Sequence, residues 1–194
     1  MKAQRIEGAI ALVTGANRGI GRALTEALLA RGVRKVYATA RHPEALRDLR
    51  NTRLVVLRLD VTDADQIRAA ADAASDVELV FNNAGVAIAR GIADSTVLDQ
   101  ARREMEVNYF GPLQLLQRLA PTLARNGGGA VVNVGSISGL TNTPIVPTYS
   151  ASKAALHSLT QAARIWSTSV TSSRSETSRS SRKASSASGL RAVA

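Results

Sequence analysis

Thr14-Gly15-Ala16-Asn17-Arg18-Gly19-Ile20-Gly21 lies between two apolar stretches of different period, and its reading decides the fold. Before it, Ala9 to Val13 is a short unbroken apolar run, the pattern of a buried strand. After it, Ile20, Ala23, Leu24, Ala27 and Leu28 recur at helical spacing, and Arg31-Gly32 supplies a cation and a left-handed cap to end the helix. Glycines at Gly15, Gly19 and Gly21 permit a tight turn, close approach of a ligand to the backbone, and close packing of helix on strand. The free N–H groups and positive dipole end at the helix start then favour an anion. The spacing differs from the commoner G-x-G-x-x-G, and a turn kept glycine-rich for packing alone has the same look, so other residues must decide.

Outward from this turn, short apolar strands alternate with helices. Val33 to Thr39 and Leu54 to Leu59 read as the second and third strands, with a proline-opened helix from Pro43 to Leu49 between them. Thr62 is the expected cap of a helix from about Asp63 to Ala74. Val77 to Phe81 is the fourth strand, closed by Asn82-Asn83-Ala84-Gly85. A helical segment from Val97 to Ala124 is interrupted at Gly111-Pro112, where a kink or break is expected. Ala130 to Val134 is the fifth strand, and Tyr149 to Ile165 the last helix. Apolar strands separated by helices imply a doubly wound parallel sheet with ligands at the carboxyl ends of its strands. Residues 1–165 therefore form one α/β domain, and the Ser/Thr/Arg-rich residues 166–194, without apolar periodicity, are expected to be a disordered tail.

Composition narrows the function classes. The 194 residues include no cysteine, which excludes disulfides, thiolate metal sites and cysteine nucleophiles. Apolar runs all stop short of a membrane span, and Met1 to Gly8 has no signal-peptide core, so a cytoplasmic location is expected. The net charge of +10 raises the question of nucleic acid. Much of that excess sits after Arg164, where Arg174, Arg179, Arg182, Lys183 and Arg191 face Glu176 alone. The tail has no interleaved aromatics, so no specific nucleic-acid contact is expected. His42 and His157 are too few and too far apart for a metal site. The charges from Asp94 to Glu106 read as a solvated helix face, and Leu113, Leu115, Leu116 and Leu119 as core or a subunit contact.

Tyr149 and Lys153 stand four apart on one helix face. A phenol is a poor base at neutral pH, but a neighbouring ammonium favours the phenolate, so the two can act as an acid/base couple. Ser136 lies thirteen residues before Tyr149, just beyond the fifth strand, where such a sheet binds its ligands. With the glycine turn, Asn82 to Gly85, Asn108, Ser136, Tyr149 and Lys153 in this order, the chain resembles the short-chain dehydrogenase/reductase family from about Ile6 to Ile165.

The resemblance implies a Rossmann-like fold and a role for each matching position. Gly15, Asn17, Arg18, Gly19, Ile20 and Gly21 fall in the dinucleotide-binding turn, Asp60 and Val61 match the adenine-contacting pair, and Asn83, Ala84 and Gly85 border the cofactor. Tyr149 corresponds to the general acid/base, Lys153 to the residue that binds the nicotinamide ribose, Ser136 to the one that polarises the substrate oxygen, and Asn108 to the holder of a proton-relay water. Ser138 rivals Ser136 but stands two residues nearer Tyr149 than the pattern asks. The substrate class implied is a small carbonyl or alcohol compound, and the family's long helices commonly pair, so a homo-oligomer is expected.

The second strand ends in Thr39-Ala40-Arg41, without the acid that binds a ribose 2′-hydroxyl, and Arg41 and Arg18 could both reach a 2′-phosphate. NADP(H) is the favoured cofactor and NAD(H) the alternative. After Ile165 the family's sixth strand, Pro-Gly turn, substrate loop and seventh strand are not recognisable, so the sheet is expected to be incomplete at its C-terminal edge and the chain cut short. Two functions are therefore set side by side: a hydride-transferring oxidoreductase impaired by the loss, and a dinucleotide-binding remnant without catalysis.

Overall fold

A computed structural model describes residues 5–177 and 190–193, with side chains described as far as residue 163. Six parallel strands form one sheet: β1 (Ile10–Val13), β2 (Lys35–Ala40), β3 (Leu54–Arg58), β4 (Leu79–Asn82), β5 (Gly129–Asn133) and β6 (Leu190–Val193). Their order is β3-β2-β1-β4-β5-β6, so the chain winds outward in one direction from β1 and then in the other from β4. Helices α1 (Gly19–Ala30), α2 (Ala64–Ala73), α3 (Val97–Met105), α4 (Gly111–Arg125) and α5 (Pro147–Thr177) make the crossovers.

The sheet is buried on both faces because its strands are apolar at successive positions, not only at alternate ones. Ile10 and Leu12 of β1 join one core with Ile67 of α2 and Leu115, Leu119 and Leu123 of α4. Ala11 and Val13 turn the other way, into a core with Leu28 and Leu29 of α1. Leu115 and Leu119 are thereby settled as core.

Several local expectations are corrected. The buried stripe of α1 is Gly21, Thr25, Leu28 and Leu29, while Ile20 is 66% exposed, because contact of the Gly21 backbone with the β1 turn sets the rotation of the helix. The cap of α2 is Asp63 and not Thr62: its carboxylate accepts from the Asp65 and Gln66 amides at 3.0 and 3.1 Å, which holds its pKa below the usual carboxylate value. Pro43–Leu46 is a single 3-10 turn. No break occurs at Gly111-Pro112. Instead Glu106–Phe110 forms a π turn that joins α3 to α4 continuously, and proline enters in the first turn of α4 where its missing N–H does little harm.

The C-terminal part also differs. Between Ile165 and Thr177 there is neither glycine nor proline to stop a helix, and α5 runs through to Thr177. Leu190–Val193, a run too short to stand out by periodicity, pairs with β5 from Gly129 to Val132. Residues 178–189 of the expected disordered tail lie outside the described residues. No helix among the described residues is long and apolar enough to cross a membrane.

Candidate active site

Each of the strands β1 to β5 delivers one part of the site from its carboxyl end, and the parts follow the order of the sheet. Asp60 and Val61 come after β3, Arg41 after β2, the glycine turn after β1, Asn83 to Val86 after β4, and Ser136 after β5. The winding reverses between β1 and β4, and at this switch point the loops after β3, β2, β1 and β4 surround a crevice. That cleft measures about 730 Å³ and is lined by Gly15, Asn17, Arg18, Gly19, Ile20, Arg41, Asp60, Val61, Asn83, Ala84 and Gly85, with Ala40, His42, Leu59, Val86 and Val107 completing its wall. All the sequence-expected dinucleotide residues except Gly21, Tyr149 and Lys153 thus meet in one place.

The three glycines are needed for two reasons. Gly15 and Gly19 have φ of 64° and 54°, the left-handed region that side chains disfavour. Gly21 is helical, but a Cβ there would collide with the Gly15 carbonyl and the Asn83 amide, so α1 can pack this close only without one. Arg18 at the start of α1 gives the helix no side-chain cap, which leaves its first N–H groups directed at the cleft.

The β4 turn is tied to the β1 turn by Thr14, a residue to which the sequence pattern assigns no role of its own. Its buried hydroxyl accepts from the Asn83 and Ala84 amides at 3.0 and 2.9 Å, while Asn83 Nδ2 donates to the Thr14 and Gly15 carbonyls at 2.9 and 3.2 Å. Asp60 is fixed too, its carboxylate accepting from the Thr62 amide and hydroxyl at 3.0 and 2.8 Å.

The expected chemical residues lie at the β4–β5 end. Lys153 is 5% exposed, its Nζ donates to the Val134 carbonyl at 2.8 Å, and it lies 5.8 Å from the centre of the Tyr149 ring. Burial pushes its pKa down to about 8. A Cβ built on Gly85 would lie 3.6 Å from that ammonium, so Lys153 stands beside the end of the cleft. Lys153 and Ser136 share a second hollow of about 320 Å³ with Ile137, Leu140 and Leu156. The half-buried Tyr149 lines neither hollow. Ser136 Oγ accepts from the Ser138 amide at 3.2 Å, opening a 3-10 turn, so Ser138 is here a backbone partner of Ser136.

Asn108 sits in the π turn, fully buried. Its side chain accepts from the Val86 amide at 2.9 Å and donates to the Val86 carbonyl at 2.8 Å and to Ser152 Oγ at 2.9 Å. Ser152, the neighbour of Lys153, is missed by sequence reasoning, although its i+3 spacing from Tyr149 is visible. Glu104, one of the charges expected on a solvated face, is instead wholly buried. His42 contacts Glu44 and His157 contacts Gln161, two separate surface pairs.

The family profile described as short chain dehydrogenase matches residues 9–167. An uncharacterized oxidoreductase of Bacillus subtilis, YusZ, is 35% identical over 167 residues, an alignment that covers 80% of this chain and 59% of that protein. The chain thus spans about six tenths of that relative's length. The crystal structure of a short chain dehydrogenase from Burkholderia cenocepacia in complex with NADP is 44% identical, with a TM-score of 0.79 over 84% of this chain and 68% of that one. A short-chain dehydrogenase from Streptomyces avermitilis is 31% identical, with a TM-score of 0.81 over 96% of this chain and 64% of that one.

Proposed function

This chain belongs to the short-chain dehydrogenase family, and from that premise we propose that it is an NADP(H)-dependent oxidoreductase acting on a carbonyl or alcohol compound. The observation that carries the proposal is the single cleft from Arg41 to Gly85 that ends beside the Lys153 ammonium. Its size, its glycine cradle and the uncapped start of α1 fit a dinucleotide diphosphate, and Arg18 and Arg41 are two cations in the wall where a ribose 2′-phosphate would lie. The Burkholderia protein solved with NADP supports the same choice.

Nicotinamide, when bound, supplies or accepts the hydride at C4. In the reducing direction Tyr149 gives its phenolic proton to the carbonyl oxygen as the carbonyl carbon gains the hydride; in oxidation it takes that proton back. Lys153, held on the Val134 carbonyl, keeps a positive charge near the phenol and offers its remaining N–H groups to ribose hydroxyls. Ser136 orients the substrate oxygen, and Asn108 fixes the Val86 backbone and the Ser152 end of α5.

Tyr149→Phe tests the assignment, because it removes the proton and little else. NADPH oxidation with a panel of aldehydes and ketones should fall by about 10²–10⁴ in kcat while NADPH affinity is kept. Equal turnover of Tyr149→Phe and the parent chain would reject the assignment. Binding without turnover in the parent would favour a non-catalytic dinucleotide-binding protein.

A further inference from the structure

Glu104 is a buried titratable group that the reaction above does not use. It is 0% exposed, in a helix whose neighbouring charges face solvent. One carboxyl oxygen accepts from the Ile88 amide at 2.7 Å, and the other has no partner among the described residues. Burying a carboxyl so thinly supported is unfavourable, and a leucine there would serve a core at least as well. Nor does folding demand the acceptor, since Ile88 is only half-buried and its neighbours Ala87 and Ala89 are exposed.

What Glu104 touches gives it a use. The segment Val86–Ile88 leaves the β4 turn at the Lys153 end of the cleft, where Val86 forms part of the wall. Asn108 holds the amide and carbonyl of Val86, and Glu104, one helical turn earlier, holds the amide of Ile88. Two side chains on one helix face therefore fasten this three-residue segment at both ends, and Asn108 extends the fastening to Ser152 beside Lys153. We infer that Glu104 is a positioning residue for the nicotinamide end of the site: it fixes where the wall stands against the nicotinamide while leaving the adenine end, formed by β2 and β3, untouched. This inference rests on the cofactor reading above.

Two ligands separate the ends of the cleft. NADPH occupies all of it, whereas adenosine 2′,5′-bisphosphate reaches only the Arg18, Arg41 and Asp60 end. Affinities are measured by calorimetry on the full chain and on Glu104→Gln, Glu104→Leu and Ile88→Pro. Gln keeps the acceptor, Leu removes it at similar volume, and Pro removes the donor from the opposite side, so the test survives a misfolded Leu variant. Glu104→Leu and Ile88→Pro should each weaken NADPH about tenfold, the loss of one buried hydrogen bond, with bisphosphate affinity held within about twofold; Glu104→Gln should change neither. NADPH affinity preserved in both Leu and Pro variants, equal weakening of both ligands, or failure of Gln to rescue would each overturn the inference. A parent chain that bound neither ligand would overturn the cofactor reading and this inference with it.

Discussion

Lys153 shows how a residue can be unfavourable for the fold and yet have a place in the proposed chemistry. Among the described residues its ammonium has one carbonyl partner, it is almost wholly buried, and its folded pKa of about 8 lies below the ordinary lysine value of 10.5. Below pH 8 the folded and unfolded chains both carry the proton, and the desolvation penalty is present in full. As pH rises from about 8 to about 10.5 the folded state loses its proton first, so the unfolded state binds more protons and stability increases. Denaturant titrations should show this rise in the parent chain, of the order of 3 kcal/mol at most. It should vanish in Lys153→Met, which should be at least as stable as the parent at pH 7 yet weakened in NADPH binding; a parent profile that falls across that window would contradict the assignment. Tyr149, Lys153 and the three glycines are legible in the sequence because the roles proposed for them impose fixed spacings or absent side chains. The roles of Glu104 and Thr14 are not, since a single sequence marks neither the burial of a polar group nor its backbone partner.

At the scale of elements, helix α5 is located by polar contacts in the interior as well as by apolar packing. Asn82 Nδ2 at the end of β4 donates to Asn133 Oδ1 at the end of β5, and Asn133 Nδ2 donates to Thr160 Oγ1 of α5, both at 2.8 Å. Thr160 Oγ1 in turn donates a hydrogen bond to the Leu156 carbonyl, also at 2.8 Å. This buried chain fixes the height of α5 over the strand ends one to two turns beyond Lys153. Asn133→Ala deletes two of its bonds and leaves a buried donor and a buried acceptor unmatched, so stability should fall by about 2–4 kcal/mol. Chemical denaturation checks this, and a loss well below 1 kcal/mol would show that packing alone seats the helix. Strands and most helices are readable from hydrophobic period, whereas the π turn is not. Gly111-Pro112 signals an interruption, but the extra residue is taken up just before it, where the turn brings Asn108 to Val86 and Ser152. Asp63 displaces Thr62 as a cap for a similar reason, because two adjacent capping residues look alike until the first helical amide is placed.

For the whole molecule, the sheet order turns a linear sequence into a linear site. The residues proposed for the adenine side follow β2 and β3, the turn proposed for the diphosphate follows β1, and those proposed for the chemistry follow β4 and β5. This layout can be anticipated from the alternation of strands and helices, since the reversal between β1 and β4 is what opens a crevice. The course of the chain beyond Ile165 cannot, because α5 continues through Ser and Thr without a periodic face and β6 is four residues long. Two of the 25 basic residues, Arg18 and Arg41, both lie in the wall of the cleft, where the proposed 2′-phosphate would be held. The most direct measurement is a fluorescence titration with NADPH and with NADH on the parent chain and on Arg41→Ala. NADPH should bind at least about tenfold more tightly than NADH, a charge-assisted contact's worth, and the preference should collapse in Arg41→Ala. Equal affinities in the parent, or binding of neither dinucleotide, would contradict the account.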